Sequence, residues 1–229
     1  MEEIKLYILI FFIYAIAGWI METTTISIRN KKFVNRGFLV GPVCPIYGYG
    51  VVLVSVLLKK YQEDIVATFC MSIIICGLLE YFTSFFMEKI FKARWWDYSQ
   101  KKFNINGRIC LENLVLFGIA SCIIVYIVNP FIIGKINLIP QNIQSLIIIL
   151  LLLIHVVDNI ISYKIILNLK QVSKEVKDNT IEISEKVRKI IHNKSIFHRR
   201  LVDAFPNIKD KVEFKKWTLK EKIENLKRK

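Results

Sequence analysis

The sequence lacks the motifs on which most soluble enzymes depend. It contains no G-x-x-x-x-G-K-[ST] loop to cradle nucleotide phosphates, so any ATP hydrolysis linked to this chain must come from another polypeptide. It has no nucleophile elbow, no metal-binding set of histidines and cysteines, and no paired acidic motif for magnesium-dependent phosphotransfer. We therefore predict no metal site and no cofactor, and we assign no catalytic residue. Whether the protein is an enzyme stays open.

Cysteines and acidic residues are also scarce. The five cysteines form no C-x-x-C pair and mostly lie in apolar runs, which favours small buried side chains over disulfides or metal ligands. There are 19 acidic residues against 33 Lys and Arg, a formal net charge of +14. Residues 1–168 carry 15 basic and 10 acidic side chains, whereas residues 169–229 carry 18 and 9. Basic charge is therefore concentrated after the apolar part of the chain.

Long apolar runs fill residues 1–168. A bilayer core of about 30 Å takes about 20 apolar residues per helix. Five segments approach this requirement: 4–28, 45–59, 64–89, 111–133 and 143–168. We predict an all-α polytopic membrane protein with about five transmembrane helices in a transmembrane domain over residues 1–168. A cleaved signal peptide is the alternative for the first run, but MEEIK is not a basic n-region and apolar character continues past Ala15-Ile16-Ala17.

The second span is short and begins inside RGFLVGPVCPIYGYG, residues 36–50. Its glycines let backbone approach closely, and its two prolines prevent a continuous helix. We predict a Gly/Pro-broken or re-entrant segment, which a membrane tolerates only where protein or water covers the backbone. We expect it to fold into the cytoplasmic half of the bilayer, where Arg36 meets an acid, Asp97 first and Glu80 second. The alternative is an exposed loop whose arginine only sets the topology.

Basic residues in the short loops predict the orientation. They collect after the first and third spans and in the tail, whereas the other side holds Lys5, Lys59, Lys60 and Lys135. By the positive-inside rule, the N-terminus lies outside and the C-terminus in the cytoplasm of a multi-pass protein of the bacterial inner membrane. Residues 169–229 are predicted to form a basic amphipathic helical tail that binds anionic lipids. Acids interspersed among its bases argue against nucleic acid as the partner.

Polar side chains collect near the predicted cytoplasmic face. The candidate substrate-binding residues are Glu22, Arg36, Glu80, Asp97, Tyr98, Asn104, Arg108 and Asp158. Ionisable groups inside a span are costly, and carboxylates beside arginines can hold an anionic or zwitterionic ligand. Other interpretations remain open. Glu80 and Asp158 can instead be hydrogen-bonding contacts between helices, Tyr98 an interface anchor, and the arginines topology signals.

Three sequence blocks occur together in this chain. They are RGFLVGPVCPIYGYG, the E-x-x-x-S/T pattern that starts at Glu80, and WDYS followed by N-x-x-G-R-I-C-L-E-N. As a set, over roughly residues 6–165, they resemble the bacterial membrane-protein family called Putative ABC-transporter type IV. The resemblance implies a permease-like component of a transport system with its ATPase on a separate chain. Because five spans form a thin wall around a pathway, we also expect a homo-oligomer or a partner subunit.

Two other functions fit the same residues. A membrane-embedded enzyme acting on lipid or polyprenyl-phosphate head groups would clamp phosphate with Arg36 and Arg108 and use Glu22, Glu80 or Asp97 as base. A non-transporting regulatory or assembly protein would use the polar cluster to dock another protein. The broken second span favours transport, since transporters build binding sites at such breaks.

Overall fold

The computed structural model describes the backbone of residues 2–91 and 94–175, and the side chains of these residues up to 165. In chain order the elements are α1 (Glu2–Asn30), α2 (Pro45–Leu57), α3 (Ile65–Phe91), β1 (Asn104–Ile105), β2 (Ile109–Cys110), α4 (Leu111–Ile123), a π-helical turn (Ile124–Val128), α5 (Asn129–Asn137) and α6 (Gln141–Glu175). Within these residues, four helical segments are long and apolar enough to cross a membrane, and α2 is a shorter apolar helix. The predicted all-α polytopic fold is confirmed.

Contacts at the helix ends show that successive helices alternate in direction. Lys59, which follows α2, pairs with Glu3 of α1 at 2.8 Å, and the first turn of α6 also bonds to the first turns of α1. The start of α1 and the turns before α3 and α6 therefore share one end of the bundle. The loops 31–44 and 94–110 leave the helices at the opposite end, which we call the basic end.

Helix α6 continues beyond the predicted end of the transmembrane domain at residue 168 and reaches Glu175. Most of the predicted basic tail, from residue 176 to 229, lies outside the described residues. The domain boundary and the binding of the tail to anionic lipid therefore stay predictions.

Residues 34–44 are non-helical and run back along the second half of α1. At one end of this segment the N–H of Val34 donates to Ser27, and at the other the N–H of Cys44 donates to the carbonyl of Ala15. An α-helix rises about 1.5 Å per residue, so the segment follows α1 for about 18 Å. The chain therefore folds back at the predicted Gly/Pro block, and α2 begins near the middle of α1 rather than at its end. We call residues 34–44 the re-entrant segment.

Helices α1 and α2 approach closely at two glycines. A Cβ on Gly48 would lie 2.5 Å from the backbone oxygen of Phe11, and a Cβ on Gly18 would overlap the ring of Tyr47. Any larger residue would have to separate the helices or displace the tyrosine. These contacts set the position of α2 and, with it, the path of the re-entrant segment.

A proline interrupts the membrane segment formed by α4 and α5. Pro130 has no N–H, so the carbonyl four residues earlier loses its usual donor, and the helix adopts a π-helical turn just before it. The adjacent buried Asn129 accepts a hydrogen bond from Tyr14 at 2.7 Å and donates to Ser55 at 3.0 Å. Asn129, which lies at this break, thus links α5 to α1 and α2 by hydrogen bonds.

The orientation of the bundle stays a prediction that cysteine labelling tests. We expect cysteines placed at Gln62 and Leu138 to react with a membrane-impermeant thiol reagent in intact cells, and a cysteine at Phe103 to be protected. All three native side chains are exposed, and Phe103 lies at the basic end. Permeabilised cells, in which all three positions should react, provide the control. Labelling of position 103 in intact cells would place the basic end outside.

Candidate functional site

Glu22 joins α1 to the re-entrant segment at the basic end. Its Oε2 lies 2.8 Å from Nε of Arg36, and its Oε1 accepts a hydrogen bond from Tyr47 at 2.7 Å. Arg36 therefore meets an acid, as predicted, and that acid is Glu22. Asp97, our first choice, lies 3.7 Å from Arg94, because both belong to one short loop.

Glu80 lies on the buried face of α3, and only 5% of the residue is exposed. Its Oε1 accepts a hydrogen bond from Tyr98 at 3.0 Å, whereas its Oε2 has no hydrogen-bond partner in the described part of the chain. Burial raises the pKa of Tyr98, and the charges of Glu80 and Glu22 raise it further. Tyr98 therefore keeps its proton and links the 94–110 loop to α3.

Asp97 and Asn104 stabilise the loop between α3 and α4. Asp97 accepts hydrogen bonds from the N–H and the hydroxyl of Ser99, and Asn104 accepts one from the N–H of Gly107 at 2.9 Å. Gly107 has a φ of +66°, and a Cβ there would lie 2.6 Å from the Asp97 carboxylate, so the turn requires glycine. The two-residue strands β1 and β2, which we did not predict, pair across this turn.

Two arginines share the carboxylate of Glu88 at the end of α3. Oε2 of Glu88 lies 2.7 Å from Nη1 of Arg108 and 3.0 Å from Nε of Arg94. The Arg108 guanidinium also lies over the rings of Tyr81 and Phe85, at 5.6 and 5.5 Å from their centroids. Its buried Nε has no hydrogen-bond partner among the described residues. Because Arg94 also lies 3.7 Å from Asp97, the two arginines of this cluster are paired with two carboxylates.

An open groove of ≈ 270 Å³ lies beside this cluster. Its lining residues are Phe85, Glu88, Lys89 and Arg108. The volume is just below the range of about 300–1,000 Å³ typical of sites for small organic molecules. Two of these lining side chains are basic and one is acidic.

Asp158 anchors the re-entrant segment to α6. Its Oδ1 accepts a hydrogen bond from the N–H of Val40 at 2.9 Å, and its Oδ2 accepts one from Gly41 at 3.0 Å. The hydroxyl of Ser162 donates to Oδ1 at 3.1 Å. In a membrane these backbone N–H groups would have no water to bond to, so the carboxylate acts as their hydrogen-bond acceptor. This bonding favours a contact between elements over a free ligand-binding group.

The predicted site residues divide into two groups. The first group lies near the basic end of α1 and α3 and consists of Glu22, Arg36, Glu80, Tyr98 and Arg108. The second group forms hydrogen bonds that hold the nearby backbone and consists of Asp97, Asn104 and Asp158. Three participating residues are missing from the predicted set: Tyr47, Glu88 and Arg94. Each had a signal in the sequence. Glu88 lies two turns after Glu80 on α3, Tyr47 lies in the Gly/Pro block, and Arg94 begins RWWDYS.

Three comparisons with known proteins place the chain in context. A family model described as Putative ABC-transporter type IV matches residues 9–163, a range that includes all eight predicted binding residues. No curated protein and no solved structure matches the chain. Within the described residues there is no group of three or more His, Cys, Asp or Glu side chains that could hold a metal ion.

Proposed function

The chain belongs to the Putative ABC-transporter type IV family, and we propose that it is the permease-like membrane component of a transport system whose ATPase is a separate polypeptide. The family and the four apolar membrane-length helices support a multi-pass membrane protein of the ABC-transporter type. This chain has no phosphate-cradling loop, so ATP hydrolysis requires another chain.

The shared carboxylate of Glu88 is the observation that carries the proposal of a ligand site. Arg94 and Arg108 both contact it, and the groove beside them is open. A guanidinium forms strong bidentate hydrogen bonds to carboxylate, phosphate or sulfate groups. Glu88 lines the same groove, so an acidic side chain is also available to a cationic group of the ligand. We propose that the site accepts a small anionic or zwitterionic molecule.

Copurification tests the assignment to a transport system. We expect the tagged full chain, extracted from native membranes in mild detergent, to carry with it in fixed ratio a polypeptide that contains the phosphate-cradling motif and hydrolyses ATP. A second copy of this chain in the complex would agree with the expected homo-oligomer. A complex that lacks ATPase activity would contradict the proposal and favour the regulatory or assembly role.

The same complex tests the site. We expect Arg108→Lys to reduce ATP hydrolysis roughly tenfold, because lysine keeps the charge but loses the planar fork and the aromatic stacking, at a cost of about 1.4 kcal/mol. The matched control is Lys101→Ala, which removes an exposed ion pair with Glu112 from the same loop and should change the rate little. Equal rates in wild type and Arg108→Lys would exclude Arg108 from the site.

A further inference from the structure

Helix α3 carries a row of polar side chains along an otherwise apolar membrane span. They occur at every fourth position: Thr68, Ser72, Cys76, Glu80, Ser84 and Glu88. The row lies mostly inside the bundle, because four of its six members are buried: Thr68, Ser72, Glu80 and Ser84. At about 1.5 Å per residue it extends for about 30 Å, which is the thickness of the hydrocarbon core.

Two atoms of this row are buried without a hydrogen-bond partner in the described part of the chain. They are Oγ of Ser72, a residue with 0% exposure, and Oε2 of Glu80, with 5%. A buried polar group left unpaired costs about 1–3 kcal/mol, and a charged one more. Native proteins retain such groups where a water, an ion or a proton occupies the site. The row therefore has two places, at Ser72 and Glu80, where a further hydrogen-bonding group can bind.

The surroundings of Glu80 favour a proton. The titratable groups that act on it among the described residues are Tyr98 of the loop, Glu22 of α1 and Cys76 of α3. Glu22 and Glu80 carry charges of the same sign, which repel each other when both are ionised. Glu22 has Arg36 at 2.8 Å to stabilise its charge, whereas Glu80 forms no ion pair within the described residues. A proton on Oε2 of Glu80 would cancel this buried charge without an ion pair.

The row also has the chemistry of a proton relay. A hydroxyl group can accept one hydrogen bond and donate another, and near the start of α3 the hydroxyl of Thr68 donates to the carbonyl of Tyr61 at 3.3 Å and shares a hydrogen bond with the Tyr126 hydroxyl at 3.1 Å. Successive members of the row lie one helical turn apart, about 6 Å, a gap that one bridging water spans. Tyr98 holds Oε1 of Glu80 and leaves Oε2 available to the row.

We propose that α3 forms a proton pathway, in which the polar row from Thr68 to Glu88 connects the two ends of the bundle and Glu80 is the proton-binding group. A proton arriving along Ser72 forms an O–H bond with Oε2 of Glu80. It leaves by way of the Ser84 hydroxyl to water at the basic end, and Glu80 returns to its ionised form. The pathway needs no ATPase partner and goes beyond the proposed transport role.

Lipid vesicles that contain the purified full chain alone test the pathway. A potassium diffusion potential set with valinomycin drives protons inward, and a trapped pH-sensitive dye reports the rate. We expect wild-type vesicles to acidify several-fold faster than protein-free vesicles, Glu80→Gln to abolish the difference, and Ser72→Val to reduce it. The matched control is Glu112→Gln, which changes an exposed carboxylate and should behave as wild type. A wild-type rate equal to that of protein-free vesicles would overturn the proposal.

If Glu80→Gln folds poorly, infrared absorption of vesicles with wild-type protein provides a second test of proton binding at Glu80. Folded wild-type protein should show the C=O stretching band of a protonated carboxyl group near neutral pH. Tyr98→Phe, which removes the hydrogen bond to Oε1, should shift this band, and Glu112→Gln should not. The absence of the band, or no shift in Tyr98→Phe, would contradict proton binding at Glu80. A failure of either test leaves the ATPase copurification unaffected, so the two proposals are judged separately.

Discussion

Replacing Asp158 with asparagine is expected to release the re-entrant segment from α6. The carboxylate accepts hydrogen bonds from the amides of Val40 and Gly41 and from the hydroxyl of Ser162. An asparagine side chain keeps one acceptor and directs its NH₂ group at the other backbone N–H, so either Gly41 loses its acceptor or Val40 keeps only the hydroxyl of Ser162 at 2.9 Å. Losing one charge-assisted hydrogen bond should lower the free energy of unfolding by about 1.5–3 kcal/mol.

The buried thiol of Cys44 reports this change directly, because it lies at the end of the same segment. In Asp158→Asn we expect maleimide to modify Cys44 much faster than in wild type, as measured by mass spectrometry of the labelled peptide. Asn159→Ala is the matched control, since the side chain of Asn159 donates to the carbonyl of His155 within its own helix. Slow labelling of Cys44 in Asp158→Asn, with unfolding as in wild type, would show that Asp158 does not hold the segment.

A single methyl group at Gly48 is expected to force α1 and α2 apart. The added Cβ would lie 2.5 Å from the backbone oxygen of Phe11 and 2.6 Å from its ring, and the backbone atom cannot rotate away. Overpacking of this kind costs about 1–3 kcal/mol, and a fixed backbone neighbour places Gly48→Ala toward the upper end. Denaturant titration of the purified protein in mixed micelles measures the loss.

Two other glycines provide controls for Gly48→Ala. A Cβ on Gly134 would meet nothing within 4 Å, and one on Gly50 would lie 3.6 Å from a methyl of Leu79, which is ordinary contact. Gly134→Ala should be neutral or should stabilise the helix by up to about 1 kcal/mol. If Gly48→Ala is as stable as Gly134→Ala, the close approach of α1 and α2 is not required for folding.

The spans followed from the sequence to within a few residues. The third was predicted at 64–89 and is Ile65–Phe91, and the first was predicted at 4–28 and is Glu2–Asn30. This accuracy has a physical cause, because a bilayer requires about 20 apolar residues per crossing and leaves no backbone group unbonded. The same requirement identified the Gly/Pro block as an interruption of the second span, because its prolines cannot form all the backbone hydrogen bonds of a helix.

The pairing of charges did not follow from the sequence in the same way. Asp97 was the first choice of partner for Arg36, yet the ion pair of Arg36 is with Glu22. Asp97 and Asn104 both support the turn at Gly107, where the positive φ and the close approach of the carboxylate depend on the path of the loop. Side chains on different helices meet only according to the rotation and depth of each helix, and neither quantity is encoded in residue spacing.

By itself, the sequence determined that the chain has membrane-length apolar helices, where they lie, and where the second span breaks. Hydrophobicity and backbone hydrogen bonding act locally, so local composition is sufficient for these features. Only the tertiary structure decided that Glu22 pairs with Arg36, that Arg94 and Arg108 share Glu88, and that Asp158 holds the re-entrant segment. These contacts join residues from separate elements, and the positions of those elements relative to one another are set by packing across the whole bundle.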